Sequence, residues 1–356
     1  MAYPVVTGAI LIEANGAALN NAGQAEGVRV DNAVVVKKIY AGRVRYPYVS
    51  GQAWRRWWRE VLYEDFGWKP SDVIREAKSA YTKGDPIAYE EDDLFGYMAA
   101  RKRSRGRQQE GEEGATGTYR RVSPLKNSLL ISVLPNVITN DFGHFSRNLP
   151  PDADPVPFES ENYTTYLQGV FTIALLDVGR FEVGEMHDLP EDMPHAYSAI
   201  LIKDTENNRV FSLPDHERAK RVQDVLRALA RLRGGAHLAR NLSDVAPVVV
   251  LVGFLDGGNA PFQRLFRPDE NNERVVCDVP RLNSVLKDFS DRFLQSSGGK
   301  ALFFGCRPGI LANEEEVLAT IESFPVAVFS GTPKEALEKA AQEVPFIMRN
   351  LSHTVG

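Results

Sequence analysis

Three tryptophans and three arginines fill the six positions Trp54–Arg59 of the run VSGQAWRRWWREVL. A chain can carry such a run in water only if the two residue kinds part company, and an α-helix parts them. Ser50 is a favoured N-cap, and nothing from Gly51 onward blocks a helix. At 100° per residue, Gln52, Arg55, Arg56 and Arg59 fall within an arc of about 100°, while Trp54, Trp57, Trp58, Val61 and Leu62 take the other side. The tryptophan side packs the helix onto a core. The arginine side is less ordinary, because a helix N-terminus attracts anions and mildly repels cations. A serine hydroxyl, open backbone amides, a glutamine and guanidinium groups on one face form a cradle for phosphate. The competing reading is a solvated basic face with Arg56 and Glu60 paired at i, i+4.

The chain around this helix has 356 residues, enough for two domains or for one domain with large insertions. Its 43% hydrophobic and 25% charged content is that of an ordinary globular protein. No apolar run reaches transmembrane length, and the opening MAYPVVTGAILIEANG reads as a strand without a basic n-region, so the expectation is a cytoplasmic protein with no membrane partner. Cys277 and Cys306 lack the companions a zinc site needs and read as buried thiols. The formal charge of −5 is unevenly spread. Eight Lys/Arg between Arg29 and Arg59 face only Asp31, and eight more between Arg101 and Lys126 face three glutamates, which leaves −17 on the remainder. Two basic tracts on an acidic body point to a localised polyanion site.

Coarse patterning gives strands over 5–14, 127–134, 167–177 and 247–255 and helices over 50–64 and 215–233. That βαββαβ order is the ferredoxin-like, or RRM-like, arrangement of an α+β fold. Residues 1–64, 119–135 and 167–356 then make one body with C-terminal additions, which include a capping box at Thr332–Glu335. Residues 65–118 form a first insertion, with helical pieces around 71–82 and 92–100 and a mobile basic loop over 101–118. Residues 136–166 form a second insertion, too long for an ordinary connection.

Neither a Walker loop nor a Gly-x-Gly-x-x-Gly after a strand is present, and no nucleophile elbow or metal-spaced histidine pair occurs. His144 and His237 are the histidines weighed for catalysis; no cofactor is implied. The acids Glu90–Asp93 sit at a helix start, where the dipole favours them. YRRVSPLKNSLLISVLP brings Arg120, Arg121 and Lys126 to the sheet edge. RLRGGAHLARN offers open amides at Gly234 and Gly235 beside Arg240, suited equally to phosphate contact or to a helix C-cap.

The segments LNNAGQAEGVRVDNAVVVKKIYAGRVRYPYVSGQAWRRWWR, DDLFGYM, RRVSPLKNSLLISV and FESENYTTYLQGVFTIAL resemble the backbone subunit of Cascade, the CRISPR-associated surveillance complex, in its DevR/Cst-type form from type I-B systems. The resemblance covers roughly residues 5 to 255. It implies a hand: an RRM-like palm, helical fingers from the first insertion and a thumb β-hairpin from the second. It implies that copies line up head to tail along a guide RNA (crRNA), beside other Cascade subunits, and present it to target DNA. It also implies guide-phosphate roles for Lys37, Lys38, Ser50, Gln52, Arg55 and Arg59, with support from Asn20 and Asn21. Gly51 stands where some relatives carry a second serine. Type I members are not nucleases, so the chain is expected to be non-catalytic. Type III cousins cut RNA with a thumb aspartate, and Asp141, Asp152 and Asp154 lie in the corresponding insertion. The alternative is an RRM-like endoribonuclease, which needs His144 or His237 near the basic helix. A third reading is a regulatory protein that binds partners through its acidic surface.

Overall fold

The computed structural model describes residues 3–24, 33–76, 79–102, 116–150, 152 and 154–352. Its centre is a large, mostly antiparallel sheet. Four strands carry it: β1 (Pro4–Ala17), β2 (Leu130–Ser132), β3 (Val156–Ala174) and β4 (Pro247–Asp256). They lie in the order β4-β1-β3-β2, every neighbour antiparallel. The chain is thus the α+β protein its patterning indicates.

The side chains of β1 explain why this sheet is covered on both faces. Val6, Ile10 and Ile12 point into a core shared with three helices, α1 (Gly51–Phe66), α2 (Asp215–Leu229) and α3 (Pro333–Ser352). Val5, Ala9 and Leu11 point the other way, against Phe262, the helix Val279–Asp288 and the helix Glu314–Glu322. A strand buried on both sides loses polar alternation, which is why β4 reads as one apolar run. The additions past β4 extend the sheet through Gly299–Cys306 and Ala327–Gly331. The capping box before α3 forms: Glu335 accepts from the Thr332 amide at 2.9 Å, and Thr332 Oγ1 accepts from the Glu335 amide at 3.3 Å. Cys277 and Cys306 are free and buried, and burial pushes both thiols up to about 12.

The first insertion corrects the expectation of helices. Val73–Glu76 pairs with Ser79–Thr82 as a hairpin, and Tyr97–Lys102 pairs with Thr116–Arg121 as a second. Past the end of α1, the helix among its described residues is Glu90–Phe95. β-branched and aromatic residues facing each other across the first hairpin, such as Ile74 and Tyr81, outweigh a weak helix periodicity. The ends of the expected basic loop belong to the second hairpin, and 103–115 lie outside the described residues.

The second insertion is a hairpin built on β3 itself. Ile138–Phe145 pairs with its first half, from Ile138 opposite Tyr163 to Phe145 opposite Val156. Its aromatics divide by role. Tyr163 is in the core, the Phe158 ring lies over Gly143 where any Cβ would strike it at 2.4 Å, and Phe142 and Phe145 are exposed.

Candidate nucleic-acid interface

Helix α1 starts where its sequence places it. Ser50 Oγ accepts from the Ala53 amide at 3.3 Å, and Trp54, Trp57, Trp58, Val61 and Leu62 are buried. The indoles of Trp54 and Trp58 stack at 5.4 Å and donate to the carbonyls of Ser128 and Val225. These two bonds anchor the helix to the sheet and to α2.

Around its N-terminus the fold gathers residues from three distant segments. Asn20 Oδ1 accepts from the Ser50 amide at 2.9 Å, and the Asn20 carbonyl accepts from the Lys37 amide at 3.0 Å. The Leu19 carbonyl takes the Ala236 amide at 3.1 Å, which brings the Gly234-Gly235 loop alongside. Gly234 has φ +144°, and a Cβ there would meet the Trp57 ring at 2.3 Å, so only glycine lets the loop lie flat on α1. The Lys37 and Arg240 side chains have no acidic partner among the described residues, and Gln52 is exposed on the first turn of α1, whose N–H groups lack intrahelical acceptors.

His237 completes this group. Its Nδ1 faces Arg240 Nη2 at 3.2 Å, and its Nε2 faces the Asn21 amide at 2.8 Å. Arginine only donates, so Nδ1 must be an acceptor and the neutral ring carries its proton on Nε2. Asn21 then serves as acceptor through Oδ1, which gives that buried oxygen a partner and leaves the amide nitrogen as an unspent donor. Burial, with Arg240 nearby, lowers the His237 pKa, which agrees with a neutral ring.

Together these groups form a concavity of donors and cations with no carboxylate among the polar groups named. The sequence matches the family described as CRISPR-associated negative auto-regulator DevR/Csa2 over residues 8–271. The chain belongs to this family. No curated protein matches the sequence. Two solved structures share the fold of this DevR/Csa2 chain. One is titled "CRISPR RNA-guided surveillance complex, pre-nicking", with a TM-score of 0.53 and 10% identity over 95% of this chain and 100% of that one. The other, "CRISPR RNA-guided surveillance complex", has a TM-score of 0.50 and 10% identity over 95% of this chain and 98% of that one.

Several expected phosphate ligands of the DevR/Csa2 chain stand elsewhere or are already engaged. Lys38 is paired with Glu161, which also accepts from the Val36 amide at 2.9 Å. Arg55 donates to the carbonyls of Leu125 and Phe95 at 2.7 and 2.9 Å, and to Asn127 and Ser123 at 3.0 Å. Burial, with Arg59 alongside, pulls its pKa down to about 10. Arg55 therefore ties α1 to Phe95 of the first insertion and to the segment 123–127 that follows it, and does not lie open on a polar face. Arg59 stacks over Phe95 at 5.2 Å and faces Glu91 at 3.7 Å, while Arg56 reaches Glu60 at 2.8 Å. Arg121 is buried rather than at the sheet edge, between Asp93 and Asp188. Arg120 remains exposed, and Lys126 sits 3.3 Å from the Tyr3 hydroxyl. The arginine arc is thus split: the concavity lies beyond Trp57, and Arg55 and Arg59 face the first insertion. Among the described residues no helix is long and apolar enough to cross a membrane, and no group of His, Cys, Asp or Glu could hold a metal ion.

Proposed function

We propose that this DevR/Csa2 chain is a non-catalytic backbone subunit of a crRNA-guided surveillance complex that grips guide phosphates in the α1 concavity. In this reading the four-strand sheet with α1 and α2 is an RRM-like palm, the hairpin on β3 is a thumb, and cytoplasmic copies assemble head to tail with other subunits to present the guide to target DNA. The observation that carries it is the convergence of Asn20, Asn21, Lys37, Ser50, Gly234, Gly235 and Arg240 on one helix N-terminus, an arrangement of amides and cations suited to phosphate rather than to reading bases. The test is nucleic acid recovered with the purified chain, followed by binding of single-stranded RNAs of unrelated sequence at increasing salt. Sequence-indifferent affinity that falls steeply with salt is expected; no RNA retention at low salt would refute the reading.

The proton on His237 should report on the same site. A bound phosphate favours the imidazolium, so RNA affinity should rise as pH falls through the lowered His237 pKa, and His237→Gln should flatten that rise. An unchanged pH profile in the variant would place the phosphate elsewhere. The endoribonuclease reading gains one observation, His237 inside the concavity, and incubation with end-labelled RNA separates it: intact RNA supports the scaffold.

Assembly rests on the exposed Phe142 and Phe145. A heterologous contact that does not close gives a filament. Removing the whole hairpin would also remove Glu161, which holds Lys38 and the Val36 amide. Phe142→Ser with Phe145→Ser is the cleaner change. The double variant should still bind RNA yet lose the growth of particle mass with RNA length in light scattering; undiminished growth would exclude these side chains from the contact.

A further inference from the structure

A groove of about 520 Å³ lies on the face of the sheet turned away from α1, where Lys38–Ala41 and Val44–Val49 run beside β2. Ile39, Tyr46 and Ile131 are half-buried along it, and Val133 and Phe262 are buried beneath. The uncharged polar side chains in its walls are spent inside the chain. Ser128 Oγ donates to the Leu129 carbonyl at 2.7 Å and accepts from the Val170 amide at 2.9 Å. Ser132 Oγ donates to the Leu134 carbonyl at 2.5 Å, and the Gln168 side chain clasps the Phe266 backbone, donating to its carbonyl at 2.8 Å and accepting from its amide at 3.3 Å. The rim is cationic. Arg264, Arg267 and Arg281 are exposed there with one carboxylate among them, that of Asp278, 4.0 Å from Arg267 and 3.6 Å from Arg281. Arg264 has no acidic partner among the described residues and holds a left-handed φ of +53°, a conformation that glycine would adopt at less cost.

An apolar trough edged by arginines suits apolar side chains set among carboxylates. It suits a nucleobase poorly, because the serine and glutamine groups in its walls are already paired and would leave base edges unsatisfied. The chain carries a segment of the fitting composition at the far end of β3. In the hairpin there, Phe145 and Val156 stand opposite each other and are 61% and 51% exposed, and Leu149 is exposed in the turn beyond them. Positions 138–160 hold four acids, Asp141, Asp152, Asp154 and Glu159, against Arg147 alone. The two surfaces cannot meet within one chain: Val156 at the tip and Gln168 in the groove share one unbroken strand, and the stretch between them spans about 40 Å. We propose that the groove receives the hairpin tip of a second copy of this chain, with Phe145 and Val156 in the trough and the carboxylates of Asp152 and Asp154 on Arg264 and Arg267. Tip and groove are different surfaces, so the contact is heterologous and repeats from copy to copy without closing. The inference rests on the head-to-tail reading above and names the surface that takes the hairpin.

Charge exchange in the full chain tests the pairing. Arg264→Glu with Arg267→Glu, and separately Asp152→Lys with Asp154→Lys, should each abolish the growth of particle mass with RNA length in light scattering, and all four changes in one chain should restore it. The rim variant should bind an RNA long enough for a single copy as the parent does, since the groove and the α1 concavity lie on opposite faces of the sheet. Loss of that binding assigns the groove to nucleic acid and overturns the proposal. Undiminished growth in either two-site variant, or growth that the four changes fail to restore, overturns it too and leaves the RNA-binding reading standing. A second readout needs no RNA. Ala41 lines the groove and is exposed, and the native thiols are buried. A disulfide joins only residues whose Cα atoms come within about 7 Å, so Ala41→Cys with Val156→Cys can bridge only between copies. Under mild oxidation at high protein concentration the double-cysteine chain should give a ladder of covalent multimers, whereas either single change should stop at dimers. A ladder from a chain that binds no RNA keeps the contact and removes the RNA-binding reading. No ladder, with or without RNA, overturns the contact.

Discussion

Asp93→Ala should destabilise the fold by about 3–5 kcal/mol, the largest effect expected of any single truncation here. Asp93 is fully buried at the junction of the first insertion, α2 and the end of β3. Its Oδ1 binds Arg121 through Nε at 2.9 Å and also through Nη2. Its Oδ2 accepts from Arg221 Nη1 at 2.6 Å and from the Gly179 amide at 2.9 Å. Burial by itself would lower the Arg121 pKa, and the Asp93 and Asp188 carboxylates overcome it, so the value is raised and the group stays charged. Arg121 spends its other donors on the carbonyls of Arg180 and Asp177, and Arg221 on those of Pro86 and Ile87. Removing the carboxylate leaves Arg221 without its anion and Arg121 with Asp188 alone. Urea unfolding measures the cost directly; a loss below about 1 kcal/mol would show that water or neighbouring carbonyls replace the carboxylate.

Charge reversal at Lys37 and Arg240 should lower affinity for single-stranded RNA by about a hundredfold or more at moderate salt, with the salt slope shallower by about two. Both side chains are free of acidic partners, so the fold should be indifferent to the change, as thermal melting will show. Arg55→Glu is the contrasting control. It would leave four oxygens without their donor and put a carboxylate among them, so lost RNA retention would follow from lost structure. If the Lys37/Arg240 variant retained RNA as the parent does, the concavity would be misassigned.

The contrast between Lys37 and Arg55 shows what a sequence can carry. The start of α1 at Ser50 and its buried face were readable because both depend on residues within a few turns. The fate of Arg55 was not, since its acceptors Leu125 and Asn127 lie 70 and 72 positions away and belong to a segment whose course helical periodicity does not encode. The acids at Glu90–Asp93 read from sequence as a helix start that the dipole favours; what the sequence does not carry is that three of them are buried and that Asp93 neutralises arginines from two other elements. His237 entered the sequence reading as a possible catalyst; its place beside Asn21 depends on a loop crossing over Leu19. Hairpins in the first insertion were missed because short cross-strand pairs leave a weaker periodic signal than a long helix does.

β3 runs unbroken for 19 residues, about 60 Å at the rise of a strand. One half is clamped between β1 and β2, and the other has Ile138–Phe145 along one edge, while among the described residues Ala33 and Val34 meet the opposite edge at Glu159 and Ser160. No glycine or proline interrupts it between Phe158 and Leu167. The hairpin is therefore a sprung arm and not a hinged one: a push at its tip spreads along the ladder as bending and twist, and it recoils when released. At the root of the arm β1 breaks register between Ala14 and Ala17, so the chain that leads on to Asn20 leaves the sheet beside the point where the arm begins.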